Sequence, residues 1–94
     1  MPLTLKFIGA LRQISGNPQV KIDFQKGLTL KTMVAKVSVE MPQLGKIFSD
    51  QQLGDARSNA LVLVNGREIS VLDGLETVLQ DGDEIVFIPV VHGG

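Results

Sequence analysis

Apolar and polar residues alternate along two stretches near the start of the chain, Leu3–Phe7 and Val20–Phe24. A period of two is the pattern of half-buried β-strands. The stretch Gln13–Gln19 between them is rich in polar residues and contains a glycine and a proline. The pattern therefore predicts two strands joined as a β-hairpin.

The hydrophobic period changes to that of an α-helix after Thr29, which is a suitable N-cap residue. One apolar face at helical spacing is formed by Leu30, Met33, Val34 and Val37. Pro42 ends this helix, and Leu44, Ile47 and Phe48 at helical spacing predict a second short helix or a turn. The stretch Ser49–Asn59 has no period and is predicted to be a loop.

The second half of the chain contains two apolar runs, Ala60–Val64 and Ile85–Pro89, and each predicts a strand. The last strand ends at its proline, because proline has no N–H to donate to a sheet ladder. Asn65-Gly66 favours a type I′ turn into a short strand at Glu68–Val71. Apolar residues at positions 75, 78 and 79 predict a short 3₁₀ or loop segment between two Asp-Gly turns.

These elements predict an α+β fold in which one main helix packs on one face of a mixed sheet of about five strands. No internal repeat or linker interrupts the pattern. We therefore expect one domain over residues 1–89 and a flexible C-terminal tail over residues 90–94.

Apolar residues also occupy strand positions that face away from the predicted helix. If Leu3, Leu5 and Phe7 point towards the helix, the opposite phase of the strands is apolar as well. The residues of that phase are Ile8, Leu63, Val86 and Ile88, with Leu61 beside them. Since one helix covers one face, we predict an exposed patch that docks a partner. The competing interpretation is that the loop at 49–59 covers this patch.

The residues that the chain lacks exclude several kinds of functional site. It has no cysteine, which excludes a disulfide scaffold, a thiolate zinc site and a cysteine nucleophile, and its only histidine is His92. Nine Lys and Arg against ten Asp and Glu, without Trp or Tyr, are not the pattern of a nucleic-acid-binding surface. Asp81, Asp83 and Glu84 are typical of a turn, so we expect no metal and no bound cofactor. No apolar run is long enough to span a membrane and no secretory signal is recognisable, so we expect a cytoplasmic protein.

The chain ends in Val90–Gly94, whose last two residues are Gly93 and Gly94. Five extended residues reach roughly 17 Å beyond the last strand. Because glycine has no Cβ, such an end can enter a narrow channel and present the Gly94 α-carboxylate there. A carboxylate is a poor electrophile, and the sequence has no nucleotide-binding motif, so its activation requires an ATP-using partner. An inert chain end is the competing interpretation.

Three segments form a characteristic set: Phe7–Arg12 followed by Gly16, then Leu61–Gly66, and finally Leu79–Pro89 running into Gly-Gly. Together they resemble the ubiquitin-like β-grasp sulfur carriers, which include the molybdopterin synthase small subunit and the thiamine sulfur carrier. The resemblance spans nearly the whole chain, and its L-x-D-G-D-E-I-x-F-x-P…G-G ending is specific to this group.

This resemblance implies a β-grasp domain that carries sulfur and is not itself an enzyme. A ubiquitin-activating-type enzyme would use ATP to adenylate Gly94, and a sulfur donor would convert the acyl-adenylate into a thiocarboxylate. The implied acceptor is the large subunit of molybdopterin synthase, which holds a cyclic pterin phosphate. The chain would then serve molybdenum cofactor biosynthesis.

One residue departs from the synthase small subunits, which usually carry a small residue where this chain has His92. A His-Gly-Gly ending is similar to the ubiquitin-related modifiers, which carry sulfur for tRNA thiolation and can conjugate to lysines. Pro89 and Leu11-Arg12 favour the synthase branch, and the modifier function is the alternative. We expect Arg12, His92 and Gly93 to contact a partner, although Arg12 as an exposed loop residue and His92 as a solvated tail residue are the simpler interpretations.

Overall fold

A computed structural model of the protein describes residues 1–50 and 60–90. The described strands are β1 (Leu3–Phe7), β2 (Gln19–Ile22), β3 (Ala60–Val64), β4 (Arg67–Glu68) and β5 (Glu84–Pro89). They form one five-stranded sheet in the order β2-β1-β5-β3-β4. β1 and β5 are parallel neighbours in the centre, and the other pairs are antiparallel. The sheet is therefore mixed, as predicted.

The described residues also form three α-helices, α1 (Ala10–Ser15), α2 (Leu30–Glu40) and α3 (Pro42–Asp50), and two 3₁₀ segments, Ile69–Val71 and Gly74–Glu76. The predicted N-cap of α2 is confirmed, because Thr29 Oγ1 accepts a hydrogen bond from the Thr32 N–H at 3.2 Å. With these helices beside a mixed sheet, the predicted α+β fold class is confirmed.

The core lies between the helices and one face of the sheet. Leu3, Leu5 and Phe7 of β1 are fully or almost fully buried, which confirms the predicted inward phase. The Phe87 ring stacks on the Phe7 ring at a centroid distance of 5.5 Å and on the Phe48 ring at 5.0 Å. These ring contacts attach α3 to the two central strands, and they hold β5 in place from the core side.

Helices α2 and α3 approach each other closely at Gly45. A Cβ added there would lie 2.8 Å from both the Cβ and the backbone oxygen of Ser38. Met41 ends α2 and Pro42 begins α3, a position at which the missing proline N–H costs no helical hydrogen bond. The predicted break at Pro42 is thus confirmed, and the second helix runs to Asp50, beyond the predicted Phe48.

The connection between the first two strands differs from the prediction. Instead of a plain hairpin connection it contains α1, which begins after Gly9 and ends at Gly16, a glycine in the left-handed conformation with φ 77°. Leu11 is buried and Ile14 packs against the core, so the short helix is held by tertiary contacts. The three-residue spacing of these two apolar residues was the signal for it.

The strand predicted at Glu68–Val71 is wrong beyond its first residue. Only Arg67 and Glu68 pair with β3, and Ile69–Val71 form a 3₁₀ turn. The Glu68 carboxylate accepts a hydrogen bond from the Ser70 N–H at 2.5 Å, which caps this turn and competes with the extended conformation. Ile69 is nevertheless fully buried.

Two predictions concern segments that lie mostly outside the residues that the structure describes. Positions 51–59 of the predicted loop and positions 91–94 of the predicted tail lie outside the described residues, so the division into a domain and a tail stays a prediction. Among the residues that are described, no helix is long and apolar enough to cross a membrane.

Candidate functional site

The face of the sheet opposite the core carries the residues that were predicted to dock a partner. In the register of β3 with β5, Leu61 pairs with Ile88 and Leu63 pairs with Val86. Side chains on directly paired residues point to the same face. Ile8 extends β1 on this face, and its N–H donates to the Phe87 carbonyl at 3.0 Å. The structure therefore brings these five apolar residues together, and we call them the apolar patch.

The apolar patch is open to solvent in the described part of the chain. Ile8 is 46% exposed and Leu61 is 40% exposed, while Leu63, Val86 and Ile88 are half-buried. Their strand neighbours Val62, Ile85 and Phe87 are buried, so the alternation of the two phases is confirmed. The competing interpretation, in which residues 51–59 cover the patch, lies outside the described residues, and the docking role stays a prediction.

The same face becomes polar towards the other end of the strands. Lys6 and Glu84 form an ion pair at 3.0 Å, and both side chains are about four-tenths exposed. Thr4 pairs with Glu84 on one side and with Lys21 on the other. This face of the sheet is therefore charged near the start of β5 and apolar near its end. A partner on the apolar half is placed beside the point where the tail begins.

The base of the tail is fixed by packing between β1 and β5. Gly9 has φ 59° and ψ −131°, a conformation that strongly favours glycine, and a Cβ there would lie 3.2 Å from Pro89 Cγ. On its other side, Pro89 is the register partner of Ala60 in β3. Pro89 is therefore held by Gly9, which follows β1, on one side and by β3 on the other. No local pattern in the sequence predicts this contact beyond the glycine itself.

A cleft of about 520 Å³ lies next to this base, lined by Gly9, Arg12, Gln13, Gly16, Asn17 and Pro18. Its one ionic lining residue, Arg12, lies on α1 and is exposed. Arg12 was predicted to contact a partner from a loop; it lies instead on a helix whose backbone holds it. Its N–H donates to the Gly9 carbonyl at 3.0 Å, and its carbonyl accepts from the Gly16 N–H at 3.0 Å.

At the opposite end, the start of β5 is held by a pair of side chains. Asn65 Nδ2 donates to Asp83 Oδ1 at 2.7 Å, and Asn65 Oδ1 accepts from the Glu84 N–H at 2.9 Å. Asp83 Oδ2 accepts from the Gln80 N–H at 2.8 Å, and the Asp83 side chain is buried. Because each carboxylate oxygen of Asp83 has a partner, this side chain is buried without an unsatisfied group. We call it the Asn65–Asp83 lock.

The carboxylates considered as metal ligands have separate partners. Asp81 pairs with the Met1 amino group at 2.5 Å, Glu84 pairs with Lys6, and Asp83 belongs to the lock. Within residues 1–50 and 60–90, no three acidic or histidine side chains are grouped as metal ligands would be. The three carboxylates therefore act as separate structural anchors.

The predicted reactive residue Gly94, with Gly93 and His92 before it, lies outside the described residues. The structure describes residues 60–90 up to the point where the predicted tail begins, so the chemistry of the tail is approached through its base. What the described part supplies is an apolar surface, a fixed exit point at Pro89 and a cationic cleft, all at one end of β5.

Comparison with known proteins finds relatives that match this chain over its whole length. Small archaeal modifier protein 3 of Haloferax volcanii is 32% identical over 95 residues and covers all of both chains. Ubiquitin-related modifier 1 homolog 1 of Arabidopsis thaliana is 32% identical over 104 residues, again covering both chains completely. The solution structure of small archaeal modifier protein 1 from Methanosarcina acetivorans superposes with a TM-score of 0.77 at 29% identity, covering 99% of this chain and 96% of that chain.

These similarities identify the fold as the ubiquitin-like β-grasp, as the sequence predicted. They also place the protein among small ubiquitin-like sulfur carriers and modifiers. The match to the family extends over residues 5–94 and so includes the terminal Gly-Gly. The chain belongs to the ThiS family.

Proposed function

We propose that the protein is a sulfur carrier that works through the α-carboxylate of Gly94. The observation that carries the proposal is the family match, which continues through the final residue, together with an exposed apolar patch that ends at the base of the tail. An apolar surface beside a narrow, glycine-ended tail fits a carrier that is held by one enzyme while its end enters the active site.

The chemistry belongs to a partner of the ubiquitin-activating type. A carboxylate oxygen of Gly94 attacks the α-phosphorus of ATP, pyrophosphate leaves, and an acyl-adenylate forms. A sulfide equivalent from a donor then attacks the acyl carbon and displaces AMP, which leaves a thiocarboxylate. The sequence of this chain contains no nucleotide-binding motif, so ATP is bound by the partner.

Docking of that partner uses the apolar patch. Leu61, Leu63, Val86 and Ile88 lie on two adjacent strands, and Ile88 directly precedes Pro89 at the base of the tail. The five residues after Pro89 span roughly 17 Å when extended, which sets the depth at which the partner must hold its reactive centre. Arg12, Gly93 and His92 complete the contacts that we propose.

As the acceptor of the sulfur we propose the large subunit of a molybdopterin synthase. Pro89 and the Leu11-Arg12 pair match the pattern of the synthase small subunits, and Leu11 is a buried residue that fixes α1. In that complex the thiocarboxylate donates sulfur to a cyclic pterin phosphate, and hydrolysis returns the carboxylate for another cycle.

A second function is favoured by the names of the full-length relatives. Small archaeal modifier protein 3 and the Arabidopsis ubiquitin-related modifier homolog are both named as modifiers, and this chain shares the His-Gly-Gly ending that resembles that branch. In this case the activated Gly94 forms an isopeptide bond with a lysine amine, or passes its sulfur to a tRNA-thiolating enzyme.

Intact-mass measurement of the protein from its native cells separates these functions. A sulfur carrier shows a second species that is heavier by the difference between sulfur and oxygen, and deletion of Gly94 removes it. A modifier shows higher-mass conjugates that survive boiling with a reductant. A variant with one alanine added after Gly94 keeps the fold and is the matched control, because it moves the carboxylate away from Gly-Gly. If neither species forms in wild-type cells, the carrier function is refuted.

A further inference from the structure

The cleft beside the base of the tail contains the positive charge of Arg12. No acidic side chain among the described residues forms an ion pair with it. We infer that the cleft receives a carboxylate side chain of the adenylating partner enzyme, which forms an ion pair with Arg12. This inference rests on the proposed function and assigns the cleft as a second contact beside the apolar patch.

The Arg12 guanidinium is available for such a contact. Within residues 1–50 and 60–90 it forms no ion pair and no hydrogen bond, whereas Lys6 is paired with Glu84 and the Met1 amine with Asp81. The backbone of Arg12 is held by hydrogen bonds to Gly9 and Gly16, so the side chain extends from a fixed point. A cation on a fixed backbone position, without a partner among the described residues, binds an external anion with little loss of backbone entropy.

The size and lining of the cleft fit a side-chain carboxylate. About 520 Å³ is ample for the end of an Asp or Glu side chain, and the side chains of Gln13 and Asn17 add neutral amide groups at its wall. A guanidinium binds a carboxylate through two parallel N–H···O bonds, and an amide N–H can donate to an oxygen that remains free.

A phosphate is the other anion that a guanidinium recognises, and the position of Arg12 argues against it. Gly9, at the edge of the cleft, packs on Pro89, so Arg12 lies at the base of the tail. The carboxylate of Gly94 is five residues further on, roughly 17 Å away when the tail is extended into a channel. That distance exceeds the length of an arginine side chain. The phosphates of the adenylation reaction therefore lie beyond its reach, and the anion at Arg12 belongs to the protein surface of the partner.

The cleft also adjoins the apolar patch along the chain. Ile8 belongs to the patch and Gly9, the next residue, lines the cleft. An interface with an apolar centre and a charged group at its border is the usual arrangement in protein complexes, and the border charge contributes orientation and association rate. The ion pair between Arg12 and the carboxylate of the enzyme thus fixes the rotation of the carrier on the enzyme, so that the tail points into the channel.

ATP–pyrophosphate exchange by the purified adenylating enzyme tests this assignment, with the full-length chain as the varied substrate. For Arg12→Glu we expect the KM for the chain to rise at least ~10-fold with kcat unchanged, because binding and not chemistry is impaired. For Arg12→Gln we expect a smaller rise in KM and a weaker dependence of KM on NaCl concentration than in wild type. Lys31→Glu, which makes the same change of charge at an exposed position on α2, is the matched control and leaves KM unchanged.

A charge-reversal screen identifies the partner residue directly. Asp or Glu residues of the enzyme near its channel entrance are changed to Arg one at a time and assayed with the Arg12→Glu chain. We expect one such change to restore the KM for the Arg12→Glu chain and to weaken the binding of the wild-type chain to the enzyme. If no reversal restores it, the assignment of a carboxylate is overturned.

Three further results would overturn the inference. These are an unchanged KM for Arg12→Glu, a fall in kcat at constant KM, which would place Arg12 at the reacting centre, and saturable NMR shifts of cleft residues when the free chain is titrated with AMP or inorganic phosphate. If the wild-type chain supports exchange, any one of these three results refutes the cleft assignment and leaves the proposed function intact. Absence of exchange with the wild-type chain would instead refute the proposed function, and this inference with it.

Discussion

Replacing Asn65 with Asp tests whether the Asn65–Asp83 lock holds the start of β5. The substitution changes one amide nitrogen into an oxygen, and Asp accepts the positive φ of 51° at this position as Asn does. One oxygen still accepts the Glu84 N–H, as in wild type. The other oxygen faces Asp83 Oδ1, to which the amide now donates at 2.7 Å.

The energetic cost has two parts. The hydrogen bond to a charged group is lost, which costs about 1.5–3 kcal/mol. Two carboxylates then repel each other, by up to about 4 kcal/mol for charges 4 Å apart at an effective dielectric constant of 20. Rotation of the new side chain towards solvent relieves part of the repulsion. We therefore expect a net loss of about 3 kcal/mol at neutral pH, from a domain whose whole stability is about 5–15 kcal/mol.

Thermal and urea unfolding followed by circular dichroism measure this loss. For a domain of this size a loss of about 3 kcal/mol lowers Tm by roughly 12–24 °C.

The reversed pair provides the decisive control. In Asn65→Asp/Asp83→Asn the new amide donates back to the new carboxylate, and its oxygen still accepts the Gln80 N–H. We expect the double variant to recover at least ~2 kcal/mol of the sum of the two single losses. If the double variant is as unstable as the sum predicts, the two side chains are not coupled and the lock does not hold β5.

Two further substitutions test the packing of the helices and the docking face. Gly45→Ala places a methyl group 2.8 Å from Ser38 and should lower the free energy of unfolding by about 1–3 kcal/mol, measured by urea unfolding, whereas an unchanged stability would mean that α2 and α3 separate at no cost. Val86→Glu adds a charge to the apolar patch beside Lys6 and should raise the KM for adenylation at least ~10-fold, while its half-buried position keeps the loss of stability near 1 kcal/mol. Lys21→Glu on the polar half of the same face is the matched control, and an equal rise in its KM would refute the docking assignment.

The sequence was sufficient to predict the elements that carry a strong hydrophobic period. Strand β1 and helix α2 follow from alternation and helical spacing, and β3 and β5 follow from apolar runs. The two faces of the sheet then follow because side-chain direction repeats regularly along such elements. This is why the members of the apolar patch could be named before the register was known. Helix α1 was missed because its six residues carry only two apolar anchors, which are too few to define a period.

Long-range polar contacts were beyond prediction for a different reason. Asn65 was recognised as a turn residue, and Asp83 as part of a second turn, from their local sequence. Their hydrogen bond joins positions 18 residues apart and depends on how β3 and β5 pair. Likewise the contact of Gly9 with Pro89 follows from the parallel pairing of β1 and β5, which no local pattern states.

The position of β5 in the sheet connects the fold to the proposed function. β5 is paired on both sides, with β1 and β3, so displacing it requires breaking two ladders and the ring contacts of Phe87. The lock holds its first residues, and packing on Gly9 holds Pro89 at its end. A tail that leaves from such a strand begins at a fixed point beside the apolar patch and the Arg12 cleft. Under the proposed function, docking of these surfaces would restrict where the predicted tail enters the partner, so that only the few residues after Pro89 would have to be ordered on binding.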